Sequence, residues 1–203
     1  MRIVLATNNK GKVREYQSLL NDIPLDLVTL EDEGISTVVE ETGKTFEENA
    51  GLKAETIAAE SRLLTIADDS GLEVDMMGGE PGVLSNRYAG DGASDTDKYT
   101  YLLSRMKDIP EDERTARFRC VIAIAEPGGK TEYFSGECRG TITFEPAGSG
   151  GFGYDPVFYV PEFGKTMAEL TAETKNRISH RARAAEKARQ WLIERYPRQQ
   201  AAG

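Results

Sequence analysis

The chain has 203 residues, 39% hydrophobic and 29% charged, which fits one globular domain burying roughly 70% of its unfolded surface. A net charge of −9 argues against a broad nucleic-acid-binding face, yet leaves room for a small anionic ligand in a local positive pocket. No run approaches the ~18 apolar residues of a membrane span, and the N-terminus lacks the layout of a signal peptide. A cytoplasmic protein with neither membrane nor nucleic-acid partners is expected.

RIVLAT (2–7) is apolar and β-branched and reads as a buried strand; NNKGK breaks it. An amphipathic helix follows, with Val13, Tyr16, Leu19 and Leu20 at helical spacing. LDLVTL (25–30) suits a second strand, and an acidic loop runs from Glu31 to Gly43. TFEENAGLKAETIAAE opens with a capping box, Thr45 accepting from the backbone three residues on and Glu48 reaching back. Phe46, Ala50, Ala54, Ile57 and Ala58 then line one face of this helix. LLTIA (63–67) reads as a third strand that ends at Asp68-Asp69, with extended structure resuming at GLEVD (71–75) and a turn at GGEPG (78–82).

Residues 95–106 have the helical spacing of Tyr99, Leu102, Leu103 and Met106. The segment 116–144 reads as a long hairpin turning at Pro127-Gly128-Gly129. Residues 146–164 form a glycine-rich loop interrupted by the apolar run Val157–Val160. A last helix is expected from Lys175 to Tyr196, with Ile178, Ala182, Ala185, Ala188 and Leu192 as its stripe, before a fraying RQQAAG tail. Alternating βα early and a hairpin late predict an α/β fold: a mixed sheet flanked by helices, one folding unit of two lobes around a cleft, one lobe from each half of the chain.

Cys120 and Cys138 lie in separate strand-like segments without a C-x-x-C or Cys-His cluster, so they read as reduced, buried thiols. The single histidine, His180, cannot build a multi-histidine metal site, and no G-x-S-x-G elbow accompanies it. Four other stretches offer chemistry, each with a plainer reading beside it. TNNKGK (7–12) sits where a strand meets a helix N-terminus, a place suited to phosphate or simply a turn with solvated lysines. Glu40, Glu41, Asp68 and Asp69 supply the oxygen ligands magnesium prefers, or else are solvated charges and an Asx turn. Ser70 and Gly71 beside the pair offer a hydroxyl and close backbone approach. GSGGFGYDP (148–156) either wraps a ligand, with Phe152 or Tyr154 stacking on a base, or is a flexible loop. KNRISHRAR (175–183) is a basic edge or a solvated helix face. Together the four meet the needs of a nucleotide: phosphate, divalent metal, base.

LATNNKGKVREY, EETGKTFEENAGLKA, ADDSGLEVD, GGEPGVLSNRYAG, ARFRC, GGFGYDPVF and ISHRARA, in this order, resemble the inosine triphosphate pyrophosphatase family across essentially the whole chain. Bacterial members carry glycine where this chain has Asn8, a change of backbone freedom more than of chemistry. The resemblance implies Mg²⁺-dependent hydrolysis of ITP, dITP and XTP to the monophosphate and pyrophosphate. It also implies a homodimer and an elongated fold with the active site between two lobes. Carried over by motif, Thr7, Asn8, Asn9, Lys10, Gly11 and Lys12 hold the triphosphate, and Lys53 reaches the phosphates. Glu41 and Asp69 serve the metal with Asp68 beside them, Asp69 is the general base, and Ser70 contacts substrate. Phe152, Gly153, Tyr154, Asp155, Lys175, His180 and Arg181 form the base pocket.

A Nudix helix is absent, and Maf-type pyrophosphatases, though related in architecture, prefer other nucleotides. A nucleotide sensor that binds without turnover would have no use for the acidic set.

Overall fold

The computed structural model describes residues 1–197; the fraying expected of residues 198–203 lies outside them. In chain order the elements are β1 (Arg2–Leu5), α1 (Lys10–Leu19), β2 (Asp26–Thr29), α2 (Phe46–Ser61), β3 (Leu64–Val74) and α3 (Asp95–Arg105). Then come β4 (Thr115–Ala125), β5 (Thr131–Ile142), β6 (Phe158–Val160), β7 (Lys165–Thr166), α4 (Ala172–Ile178) and α5 (His180–Arg195). The strands join in one mixed sheet of order β2-β1-β3-β4-β5-β6-β7. β1 runs parallel to β2 and β3, whereas β5, β6 and β7 pair antiparallel. No helix among the described residues is long and apolar enough to cross a membrane.

The chain divides into two compact units. The first holds residues 1–69, 120–136 and Ala182 onward, the second 70–119 and 137–181, so β3, β4 and β5 each belong to both.

In the first unit Ile3 and Leu5 of β1, Ile66 of β3 and Ile122 and Ile124 of β4 pack with Tyr16 of α1. Ala184, Ala185, Ala188 and Leu192 of α5 complete that core, the alanines permitting close approach. Val4 points to the opposite face of β1 and is equally buried, so both faces are covered, as a parallel strand requires. The expected stripe of α2 is buried throughout. Trp191, the only tryptophan, lies against Phe134 and Tyr196 at the margin of this core, with ring centres 5.9 and 6.0 Å away.

The second unit has its own core of Leu72, Leu102, Met106, Phe118, Cys138, Ile142, Val157 and Phe158. Arg114 is buried there, donating to the carbonyls of Ile142, Met106 and Thr143 at 2.7, 2.7 and 2.9 Å. Both cysteines are buried and unbridged.

Three local expectations are corrected. β3 does not stop at the aspartate pair; it is one strand of 11 residues running through it, because Leu72 and Val74 beyond the pair have a second core to enter. The last helix is two: Ser179 is extended (φ −65°, ψ 157°), which separates α4 from α5 although its N–H still reaches Lys175. At the start of α2 Thr45 accepts from Glu48 N at 3.1 Å, but the Glu48 carboxylate turns to Lys44 N at 2.5 Å instead of Thr45 N.

Candidate active site

The two aspartates are almost wholly buried, Asp68 at 1% and Asp69 at 5% exposure, which removes the solvated-turn reading. Consecutive residues of a strand face opposite ways, and the partners follow that rule. Asp68 meets Lys12 of α1, 3.0 Å from its Oδ1, and the Cys120 thiol, which donates to Oδ2 at 3.6 Å. Asp69 meets α2: Asn49 Nδ2 donates to its Oδ2 at 2.9 Å, and Lys53 Nζ lies 3.8 Å from Oδ1. The same ammonium sits 2.5 Å from Glu41 Oε1. Two acids from separate segments thus converge on one cation. Asp68 adds its charge to the field at that ammonium, and Glu40 is exposed. Among the described residues no group of three or more His, Cys, Asp or Glu side chains is gathered as a ready metal cage.

Burial pushes the Asp69 carboxyl above the ordinary range; Lys53 pulls the other way and Glu41 reinforces the rise, and burial prevails. For Lys53 burial acts to lower the value, but Asp69, Glu41 and Asp68 together outweigh it and hold the ammonium above its usual range. A hard divalent cation suits the same pair of oxygens, since magnesium is commonly held through one or two carboxylates, with water and phosphate completing its shell.

The turn ahead of α1 is shorter than expected. Asn9 is the cap residue, its Oδ1 accepting from Gly11 N and Lys12 N at 2.9 and 3.1 Å, so Lys10, Gly11 and Lys12 form the first helical turn. Thr7 Oγ1 accepts from Asn9 N at 3.2 Å. Asn8, Asn9 and Lys10 are exposed. Among the described residues Arg62 is the only non-glycine with a left-handed backbone, so the asparagine at position 8 meets no backbone penalty.

In the second unit the glycine-rich segment is held by its own chain. Asp155 Oδ2 accepts from Phe152 N at 2.9 Å and from Lys175 Nζ at 2.6 Å. A Cβ on Gly151 would fall 1.9 Å from that same oxygen, and one on Gly148 or Gly150 would meet the Ala168 backbone within 2.8 Å. These contacts explain Gly148, Gly150 and Gly151, and the left-handed φ of 64° explains Gly153. Phe152 is half-buried, with Lys175 Nζ 4.8 Å and the Arg181 guanidinium 5.5 Å from its ring centre. Gly153 N donates to Asp95 Oδ2 at 2.7 Å.

Tyr154 departs from the expectation of a base-stacking ring: it is buried, and its hydroxyl donates to the Ser85 carbonyl at 2.8 Å. Burial raises its phenol pKa well above normal. The basic run is not a uniform solvated face either. Lys175, His180 and Arg181 are buried while Arg177 and Arg183 are exposed, because the bend at Ser179 redirects the chain. His180 stacks on Phe118, centres 4.7 Å apart and planes 17° from parallel. Arg181 Nη2 donates to Ser70 Oγ at 2.8 Å.

Asn49 and Asp95 escaped the sequence reading. Asn49 had a signal, a polar side chain three residues after Phe46 on the buried face of α2. Asp95 had none, being one of two acids in the first turn of α3.

Residues 3–191 match the sequence profile of the Ham1 family. The dITP/XTP pyrophosphatase of Geobacter sulfurreducens is 54% identical over 90% of this chain and 92% of its own length. That of Desulforamulus reducens is 51% identical over 98% of this chain and 100% of its own. Among solved structures, a HAM1 protein from Coxiella burnetii superposes with a TM-score of 0.88 at 40% identity, covering 96% of this chain and 99% of that one. The Staphylococcus aureus Ham1 protein gives 0.86 at 42% identity, covering 96% and 100%.

Proposed function

Starting from a chain that belongs to the Ham1 family, we propose that it hydrolyses non-canonical purine nucleoside triphosphates, ITP, dITP and XTP, to the monophosphate and pyrophosphate. The activity follows its dITP/XTP pyrophosphatase relatives; the residue roles are our reading. The observation that carries it is the Glu41–Lys53–Asp69 cluster, with two acid groups on one cation. Glu41 and Asp69 would hold Mg²⁺, which would screen the charge of the phosphates. Asp68, engaged with Lys12, positions that lysine instead. Thr7 to Lys12 and Lys53 bind the triphosphate by charge and by the dipole of α1.

Asp69 takes a proton from water, whose oxygen forms a bond to the α-phosphorus as the bond to the bridging oxygen breaks and pyrophosphate leaves. A carboxyl kept above its ordinary range is a better acceptor near neutral pH than a solvated one. The base falls to Phe152, Gly153, Asp155, Lys175, His180 and Arg181, with Tyr154 anchoring the segment, and Ser70 contacts the substrate. Asp69 and Ser70 are consecutive residues of β3. Arg181 or His180 donating to the 6-oxo group would meet another donor if adenine entered, an unpaired contact worth about 10²-fold in selectivity. A cytoplasmic homodimer that clears deaminated purines from the nucleotide pool completes the proposal.

A pyrophosphate-release panel with ITP, XTP, dITP, ATP and GTP, with and without Mg²⁺, tests it. Release confined to ITP, XTP and dITP in the presence of Mg²⁺ is expected. Tight ITP binding without release, or preference for ATP or GTP, overturns it.

A further inference from the structure

Asn49 is wholly buried at 0% exposure, and both ends of its amide are engaged. Nδ2 donates to Asp69 Oδ2 at 2.9 Å, while Oδ1 accepts from Gly43 N at 2.8 Å. Gly43 lies two residues after Glu41, so one side chain of α2 connects the base on β3 to the loop that carries the other acid. There is no slack: a Cβ on Gly43 would come 2.6 Å from Asn49 Oδ1 and 2.7 Å from Glu48 Cβ. An uncharged polar group in the interior of a helix has to find partners for both its donor and its acceptor, and here they are the two segments that must meet for the chemistry.

We infer that Asn49 is a positioning residue for hydrolysis: its amide sets the rotation of the Asp69 carboxylate and ties the Glu41 loop to it. Lys53 alone cannot do this, because an ammonium 3.8 Å from Oδ1 imposes no direction on the carboxylate plane, whereas a short N–H bond to Oδ2 does. Groups that orient a reacting or ligating side chain typically contribute about 10- to 100-fold when removed. The inference rests on the role given to Asp69 above.

The experiment compares the wild type with Asn49→Ala, Asn49→Asp and Asp69→Asn, measuring kcat and KM for dITP together with thermal melts in the absence of metal. Asn49→Ala is expected to lower kcat about 10- to 100-fold with KM within about threefold, because substrate contacts are untouched. Asn49→Asp keeps the acceptor for Gly43 N but exchanges the donor for a second carboxyl against Asp69. It is expected to lose more kcat than the alanine variant while melting at or above it. A purely packing role gives the opposite order in kcat, aspartate milder than alanine as it is in the melt, and overturns the inference, as does an alanine variant with wild-type kcat. If Asp69→Asn itself turns over normally, the role of Asp69 has failed; if it is inactive and Asn49→Ala is not impaired, only the present inference has.

Discussion

Asp69 pays an energetic cost for its place in the interior, and that cost depends on pH. Its folded pKa lies above the unfolded one, so its stabilising contribution is complete below about pH 4 and is lost as pH rises through the folded value. An amide at this position has no such loss. The melting temperature of Asp69→Asn is therefore expected to move in the variant's favour, relative to wild type, as pH rises above about 4. Pyrophosphate release by the same variant is expected to fall by about 10²- to 10⁴-fold; normal turnover would mean that another group takes the proton. On the base side, Arg181→Ala removes the guanidinium that bonds Ser70 and lies beside Phe152. The preference for dITP over dATP is expected to drop by about tenfold or more, with the Mg²⁺ requirement unchanged. An unaltered ratio would take Arg181 out of base selection.

Among the elements, those with purely local causes were legible beforehand. α2 declares itself through Thr45 and an unbroken apolar stripe, and it forms where that pattern says. Replacing Thr45 by alanine removes the acceptor for Glu48 N and is expected to cost about 1 kcal/mol, a fall of roughly 2–4 °C in melting temperature; an unshifted melt would mean the Glu48 bond to Lys44 N suffices as a cap. β3 shows the limit of such reading. Asp-Asp-Ser-Gly looks like punctuation locally, and only the lysines, the asparagine and the second core supplied by distant segments let a strand continue through it. The split at Ser179 was hidden for a similar reason: the apolar spacing runs on across it, while the side chains of Lys175, His180 and Arg181 are drawn inward. Asn49 shows the converse. It was visible as a misfit on a buried face, but its partner Asp69 lies 20 residues away, a pairing no local pattern displays.

Taken whole, the α/β class and the mixed sheet followed from the succession of strands and helices, because parallel strands need helical crossovers and a hairpin does not. The two compact units were less accessible. Their boundaries fall inside β3, β4 and β5, where neither composition nor turn residues change. Shared strands have a mechanical consequence that the position of one indole makes measurable. Trp191 belongs to the first unit alone, so its emission on heating reports that unit, while far-ultraviolet dichroism reports every helix and strand. Three strands run on from one unit into the other, so the optical and dichroic curves are expected to coincide as a single transition. An indole signal that changes several degrees before the dichroism would reveal that the strands can be severed thermally along their length, and would make this small enzyme a carrier of two separately meltable halves.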